Sequence, residues 1–424
     1  MKIVHLSATD IKFGADRATY RLHESLRSAG VDSLMMVGRK YSRDETVHCS
    51  VNSWFQNILD RRRPFLDQLP LRIYTNRSPN LFSIEWVPER VGSHPLISSS
   101  DIVTLHWICR GFLRPESIAT FGKPIVWRLS DMWAFTGGCH YSGECVRYQQ
   151  ECGFCPHLGS RRNKDLSHWL WKRKEKSWKP VTITIVTPSR WLSSCARKSS
   201  LFRRYRTEVI PNGINVGIFK PIDKLYSREL LGLPKDKKLV LFGAINPLKD
   251  ERKGYPYLIE ALHRLAEKSI HKQLELAVLG TSKPKSNSKL NLPVRYLDYV
   301  EDVTRLVSCY SAADVFVAPS KEDNFPSTVL ESLACGTPVL AFNIGGMPDL
   351  IEDKKNGYLA KPFDTADLSN GIEWIMGDKS RHEGLSQKAR QKVEEEFTED
   401  IQAKKYLRLY EETLSENVGH HTVR

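Results

Sequence analysis

The chain has 424 residues, 41% of them hydrophobic and 26% charged, with a formal net charge of +14. That length suffices for two α/β domains with separate cores, and the composition fits a soluble globular protein. No apolar run approaches the length of a bilayer-spanning helix, which excludes such helices. In chain order, Met1-Lys-Ile-Val-His-Leu-Ser7 reads as a first strand rather than a signal peptide, because no extended apolar core or cleavage site follows. A cytoplasmic protein is therefore expected. A strand over Lys2–Leu6 precedes a helix over Asp16–Ser28, and Ser33–Val37, Ile102–His106, Pro124–Arg128 and Ile183–Pro188 read as further strands. After the turn-rich Ile210–Pro221 the pattern restarts with a strand at Lys238–Phe242 and a helix at Tyr255–Lys268. Strands at Glu275–Leu279, Val294–Leu297, Val315–Ala318 and Val339–Ala341 follow, then a helical tail over Asp400–Leu414. Alternation of this kind implies parallel sheets with right-handed crossovers. The fold class predicted is α/β, with two Rossmann-like domains facing a central cleft.

Charge is uneven along the chain. Residues 1–220 hold 34 Lys and Arg against 18 Asp and Glu, whereas residues 221–424 hold 29 against 31. Residues 161–206 alone carry 14 basic side chains and two acidic ones, Asp165 and Glu175. Their centre, His168-Trp-Leu-Trp-Lys-Arg-Lys-Glu-Lys-Ser-Trp178, mixes indoles with cations, a composition suited to an anionic membrane surface. A solvated basic helix is the bland alternative. Nucleic acid is not expected as a partner, because no motif for it accompanies the patch.

The stretch Val315–Ala341 carries most of the functional signal. Its order is a buried strand, a short acidic loop, a helix and a second buried strand, with Asp323 and Glu331 eight residues apart around the helix start. Pro326 suits a first helical position, since its φ is fixed and its missing N–H is not needed there. The N–H groups of Ser327 and Thr328 then face the crevice above the sheet, where a phosphate fits. Glu331 lies about one turn further in, within reach of a ribose diol. An ordinary βαβ unit with a solvated acidic loop is the competing reading.

Asp323–Glu331 with Ala334-Cys-Gly-Thr-Pro-Val339, Ile210-Pro-Asn-Gly-Ile214, Gly345-Gly-Met-Pro-Asp-Leu-Ile351, Lys253-Gly254 and Asn356-Gly-Tyr-Leu359 follow one another in a telling order. Together they resemble a retaining, nucleotide-sugar-dependent glycosyltransferase of the family-four class, with the two-domain GT-B fold, over essentially the whole chain. The segment Asp131-Met-Trp-Ala-Phe-Thr-Gly-Gly-Cys-His-Tyr141 resembles the subgroup that builds bacterial exopolysaccharides and O-antigens on lipid carriers.

The resemblance implies an acceptor-binding domain over residues 1–207, with a helix at about 400–416 packing back on it, and a nucleotide-sugar domain over residues 208–399. It implies transfer of a sugar from a nucleoside diphosphate to a lipid-linked or polysaccharide acceptor, at the inner face of the cell membrane, with residues 161–206 against the lipid. Lys253 is then the main diphosphate cation, Glu331 the ribose ligand, and Asp323 the carboxylate near the donor sugar. Backbone groups of Asn324, Phe325, Ser327 and Thr328 hold the diphosphate and sugar, Gly14 lets the backbone approach them, and Tyr299 lies near the base. His106, Ser130 and Asp131 are candidates for cleft polarity. The chain departs from the family pattern twice. Gly243-Ala-Ile-Asn-Pro-Leu-Lys-Asp250 lacks the usual Arg, for which Arg252 or Lys249 can substitute, and Ser130 stands where many relatives have His. The alternatives are a GT-B epimerase or phosphorylase, and a non-catalytic membrane-binding protein.

No catalytic metal is expected. Cys139, Cys145, Cys152 and Cys155, however, form C-x5-C-x6-C-x2-C. In a cytosolic chain this spacing reads as a structural zinc site, with free thiols and a redox pair or cluster as alternatives.

Overall fold

The structure, a computed structural model, describes residues 1–50, 62–89, 91–266, 273–284, 290 and 292–421. Backbone contacts divide the chain into two compact units, one of residues 1–213 with 399–424 and one of residues 214–398.

The first unit is built on a parallel sheet of β1 (Lys2–Thr9), β2 (Asp32–Arg39), β3 (Val47–Cys49), β4 (Ile102–Leu105), β5 (Ile125–Arg128), β6 (Ile183–Thr187) and β7 (Thr207–Val209). Their spatial order is β3-β2-β1-β4-β5-β6-β7. Central strands such as Ile102-Val-Thr-Leu105 and Ile125-Val-Trp-Arg128 are buried along their whole length, as expected where both sheet faces are covered. The helix Gly14–Ser28 buries Ala18, Leu22 and Leu26, spaced four apart on one face. Leu22 and Leu26 share a core with Ile3, Ile102 and with Tyr406, Leu409 and Tyr410 of the helix Glu399–His421.

The helix Leu166–Trp178 corrects the reading of the basic, Trp-rich segment. Leu170, Trp171, Lys174 and Trp178 recur at helical spacing and all face inward. Trp178 packs edge-on to Trp127, with ring centres 5.0 Å apart. Only Trp169 of these three indoles is exposed, and the Arg173 guanidinium lies over its ring, 4.4 Å from the centre. The Trp–cation mixture is thus mostly core packing, which removes two indoles from any lipid interface. Arg161, Arg162, Lys164, Lys172, Lys176 and Lys179 remain exposed. Among the described residues no helix is long and apolar enough to cross a membrane.

The second unit repeats the architecture with β8 (Lys238–Gly243), β9 (Leu274–Leu279), β10 (Val294–Tyr296), β11 (Val315–Ala318), β12 (Val339–Phe342) and β13 (Gly357–Ala360), in the order β10-β9-β8-β11-β12-β13. All pairs are parallel. Strand order reverses between β8 and β11, and the carboxyl ends of strands at such a reversal are the usual ligand position in sheets of this kind. The helix Tyr255–Ala266 follows β8 and buries Leu258, Leu262 and Leu265, while the helix Ser327–Ala334 follows β11. The last residues expected for the first of these helices lie outside the described residues. Pro326 is the N-cap of the second, one position earlier than expected. Its carbonyl accepts from the N–H groups of Val329 and Leu330.

Candidate functional site

The loops after β8 and β11 meet at the reversal point. Lys253 closes a short 3-10 turn, Glu251–Lys253, and Gly254 follows in the left-handed region at φ +72°. A side chain at Gly254 would stand 1.8 Å from the Pro319 carbonyl oxygen, so this close approach of two loops requires glycine. The Lys321 N–H donates to the Arg252 carbonyl across the same seam at 2.8 Å. Lys253 Nζ thereby reaches Asp323 Oδ2 at 2.7 Å, and Arg252 Nη1 lies 3.4 Å from the same oxygen. Ser320 donates to it as well, at 3.2 Å. Burial alone would raise the Asp323 carboxyl, but the two cations and these hydrogen bonds hold it below the usual carboxylate value. Asp323 is therefore a buried anion that clamps both cations in place.

Eight residues on, Glu331 is buried within the helix Ser327–Ala334 and accepts a hydrogen bond from the Tyr310 hydroxyl at 2.8 Å. Burial first, and the neighbouring Glu331 second, push the Tyr310 hydroxyl far up, so it stays a donor. The N–H groups of Ser327 and Thr328 open this helix and lie beyond its internal hydrogen bonds. Lys253, Arg252, Asp323, Asn324, Ser327, Thr328 and Glu331 thus all sit on the β8 and β11 loops or the first turns of one helix. Phe325 differs, because its ring is buried edge-on to Phe397, with centres 5.6 Å apart, and only its backbone is left for a ligand. Tyr299 is 44% exposed, in the loop after β10.

The remaining candidates belong to the first unit. Gly14 is the first residue of the helix Gly14–Ser28 rather than part of an open loop. His106 is fully buried beside His5, with Nε2 2.9 Å from His5 Nδ1. Burial, then the neighbouring His5 and Arg128, keep the His106 imidazole neutral well below its ordinary range. Ser130 accepts from Arg128 Nη1 at 3.4 Å. Asp131 is a hub: it accepts from Trp107 Nε1 at 2.9 Å and from the Trp133 N–H at 2.9 Å, and lies 2.6 Å from His140 Nδ1. The Asp131–His140 pair therefore fixes the loop that follows β5.

The four cysteines of the C-x5-C-x6-C-x2-C run line one cavity of the first unit, together with His157 and Arg147. They do not stand as a formed coordination shell. Among the described residues no three His, Cys, Asp or Glu side chains are gathered as a metal-binding group. Burial pushes the Cys152 thiol up to about 12 and the Cys155 thiol up to about 11.

Three partners of the site went unread in the sequence. Tyr310 lies on the helix Val303–Ala312, and nothing in the local pattern marks it. Ser320 stands three residues before Asp323, a short-range spacing at which a hydroxyl can meet a carboxylate. His140 follows Cys139 directly, and its carboxylate partner is nine residues away.

Residues 226–392 match the family model described as glycosyl transferases group 1. The chain is 33% identical over 203 residues to a D-inositol 3-phosphate glycosyltransferase of Geodermatophilus obscurus, covering 44% of this chain and 43% of that protein. A similar relative from Catenulispora acidiphila is 31% identical over 195 residues, covering 42% of this chain and 45% of that one. The chain thus spans less than half the length of these curated relatives. Among solved structures, sucrose-phosphate synthase from Thermosynechococcus elongatus superposes with a TM-score of 0.67 at 18% identity, covering 98% of this chain and all of that one (100%). Anabaena HepE in complex with UDP gives 0.63 at 15%, covering 97% and 100%. At those identities the likeness speaks for the fold alone. Residues 226–392 thus resemble a glycosyl transferases group 1 domain, and along nearly the whole chain the α/β fold matches that of GT-B glycosyltransferase structures.

Proposed function

We propose that this protein transfers a sugar from a nucleoside diphosphate to a lipid-linked or polysaccharide acceptor, with retention of configuration. The observation that carries the reading is the convergence of Lys253, Arg252, Asp323 and Glu331 with an uncapped helix start at the carboxyl ends of β8 and β11. A sugar leaving as an oxocarbenium-like centre places growing charge on the diphosphate. The Lys253 ammonium, the Arg252 guanidinium and the Ser327 and Thr328 N–H groups are the donors that meet it, and such preset donors are worth a factor of about 10² to 10³ each. Glu331 is suited to two vicinal ribose hydroxyls, being an anion already oriented by Tyr310. Asp323 holds the cations and stands beside the positive anomeric carbon. In retaining transfer the departing phosphate takes the acceptor's proton, so neither a protein base nor a catalytic metal is assigned here.

An acceptor at the membrane surface suits the exposed cations of residues 161–179. Each contributes on the order of 1 kcal/mol against anionic headgroups. UDP is the first donor base to try, since Anabaena HepE has been solved with UDP and, at a TM-score of 0.58, with UDP-glucose. A thermal-shift panel of UDP-, GDP- and dTDP-sugars tests the reading, followed by NMR of the anomeric proton in the product. Stabilisation by one series and a product of unchanged anomeric configuration are expected. No stabilisation by any donor overturns the enzymatic reading, an inverted product overturns the retaining step, and turnover on free inositol phosphate alone overturns the lipid-linked acceptor.

A further inference from the structure

We propose that Cys139, Cys145, Cys152 and Cys155 hold one structural zinc ion as a tetrathiolate in the cavity they line. This inference stands on the first unit and is independent of the donor site. All nine cysteines are free of disulfides, and these four, scattered over seventeen residues, line a single cavity of about 20 Å³. That space admits one water-sized occupant.

The loop geometry is that of a chelating turn. In Cys152-Gly-Phe-Cys155 the two middle residues take φ of +146° and +45°. Positive φ at a bulky phenylalanine is held only where surrounding structure demands it. The turn carries both thiols to one cavity wall. A backbone donor already serves one of the sulfurs: the Gly137 N–H donates to Cys152 Sγ at 3.1 Å. Outer-shell donors of this sort orient metal thiolates.

The nearby histidines are otherwise engaged, which singles out sulfur. His157 has Nε2 3.1 Å from the Ser142 carbonyl and Nδ1 3.2 Å from Asn80. His140 has Nδ1 on Asp131 and Nε2 3.0 Å from Ser83. Four sulfurs in tetrahedral array select zinc.

Lys174 is 0% exposed and donates to the carbonyls of Trp133 and Thr136. Binding one Zn²⁺ releases the four thiol protons and leaves a centre of net charge −2. The ion would then lock the loop after β5 through Cys139, next to the Asp131–His140 pair.

The full chain, purified without chelator from zinc-supplemented cells, is analysed by metal mass spectrometry and, after cobalt exchange, by absorption. About one zinc per chain is expected, together with a thiolate-to-cobalt charge-transfer band and tetrahedral visible bands. Cys145→Ser should lower zinc below about half an equivalent, whereas Cys49→Ser, on β3, should keep it. The wild-type measurements stand even if a cluster variant fails to fold. Zinc below about half an equivalent in the wild type, disulfides joining these four residues, iron in place of zinc, or full zinc in a soluble Cys145→Ser each overturn the proposal.

Discussion

Gly254→Ala tests whether the turn carrying Lys253 depends on the close approach of the β8 and β11 loops. Gly254 sits at φ +72°, where any residue with a Cβ is destabilised by about 1–2 kcal/mol. The new methyl would also meet the Pro319 carbonyl oxygen at 1.8 Å, a backbone atom that can retreat only if its loop moves. Overpacking of that kind costs about 1–3 kcal/mol more, so the variant should lose about 2–5 kcal/mol in total. Gly232→Ala is the matched control, because Gly232 has φ +65° with nothing within 4 Å of the added methyl. It should lose only the first part. Urea unfolding read by pulse proteolysis gives both values, and their difference isolates the loop contact. Because Asp323 is 2.7 Å from Lys253 across this seam, the shift should also lower kcat/KM by up to about 10²-fold in Gly254→Ala alone. Equal destabilisation of the two variants would refute the reasoning.

Lys253→Ala should lower turnover by about 10² to 10³ and also cost some stability, since it leaves the buried Asp323 carboxylate with Arg252 as its remaining cation. A near-normal rate would remove Lys253 from the chemistry. Tyr310→Phe strips one buried donor from Glu331, which should cost about 1–3 kcal/mol of stability and raise donor KM. An unmoved KM would show that the Glu331 carboxylate is oriented without Tyr310. His23 is buried between Ser33 and Thr46, and burial, in spite of nearby Asp44, lowers its imidazole to about 4. Between pH 6.5 and 4 the unfolded chain then binds the proton that the folded chain refuses. Stability from His23 is complete above pH 6.5 and falls by on the order of 3 kcal/mol toward pH 4. Asp16, raised by burial to about 7, acts in the opposite sense, losing its contribution as pH rises through 7. The comparison is therefore urea stability of wild type against His23→Gln across this window. Parallel curves would contradict the assignment.

The architecture was legible where physics is local. Long apolar runs such as Leu239–Phe242 and Val315–Ala318 become central strands because both sheet faces are covered. The three-residue edge strands Val47–Cys49 and Thr207–Val209 were not legible, being too short and only partly buried, so that they show no period. Lys253-Gly254 and Asp323–Glu331 could be singled out as motifs, yet their pairing could not. The Lys253–Asp323 contact joins positions 70 residues apart, and only the strand reversal brings them together. The Trp-rich helix misled for a related reason. Composition records indoles and cations but not the face they occupy, and Trp171, Lys174 and Trp178 share the inward one. Asp131 was a candidate without a partner until His140 and Trp107 were seen to bind it.

Hydrogen exchange of the full chain, with and without saturating UDP, GDP or dTDP, reads the donor position most directly. One nucleotide should slow exchange in residues 250–254 and 320–331, and Lys253→Ala should weaken that protection. Protection confined to residues 1–213, or none with any of the three, would contradict a donor site at the β8–β11 reversal.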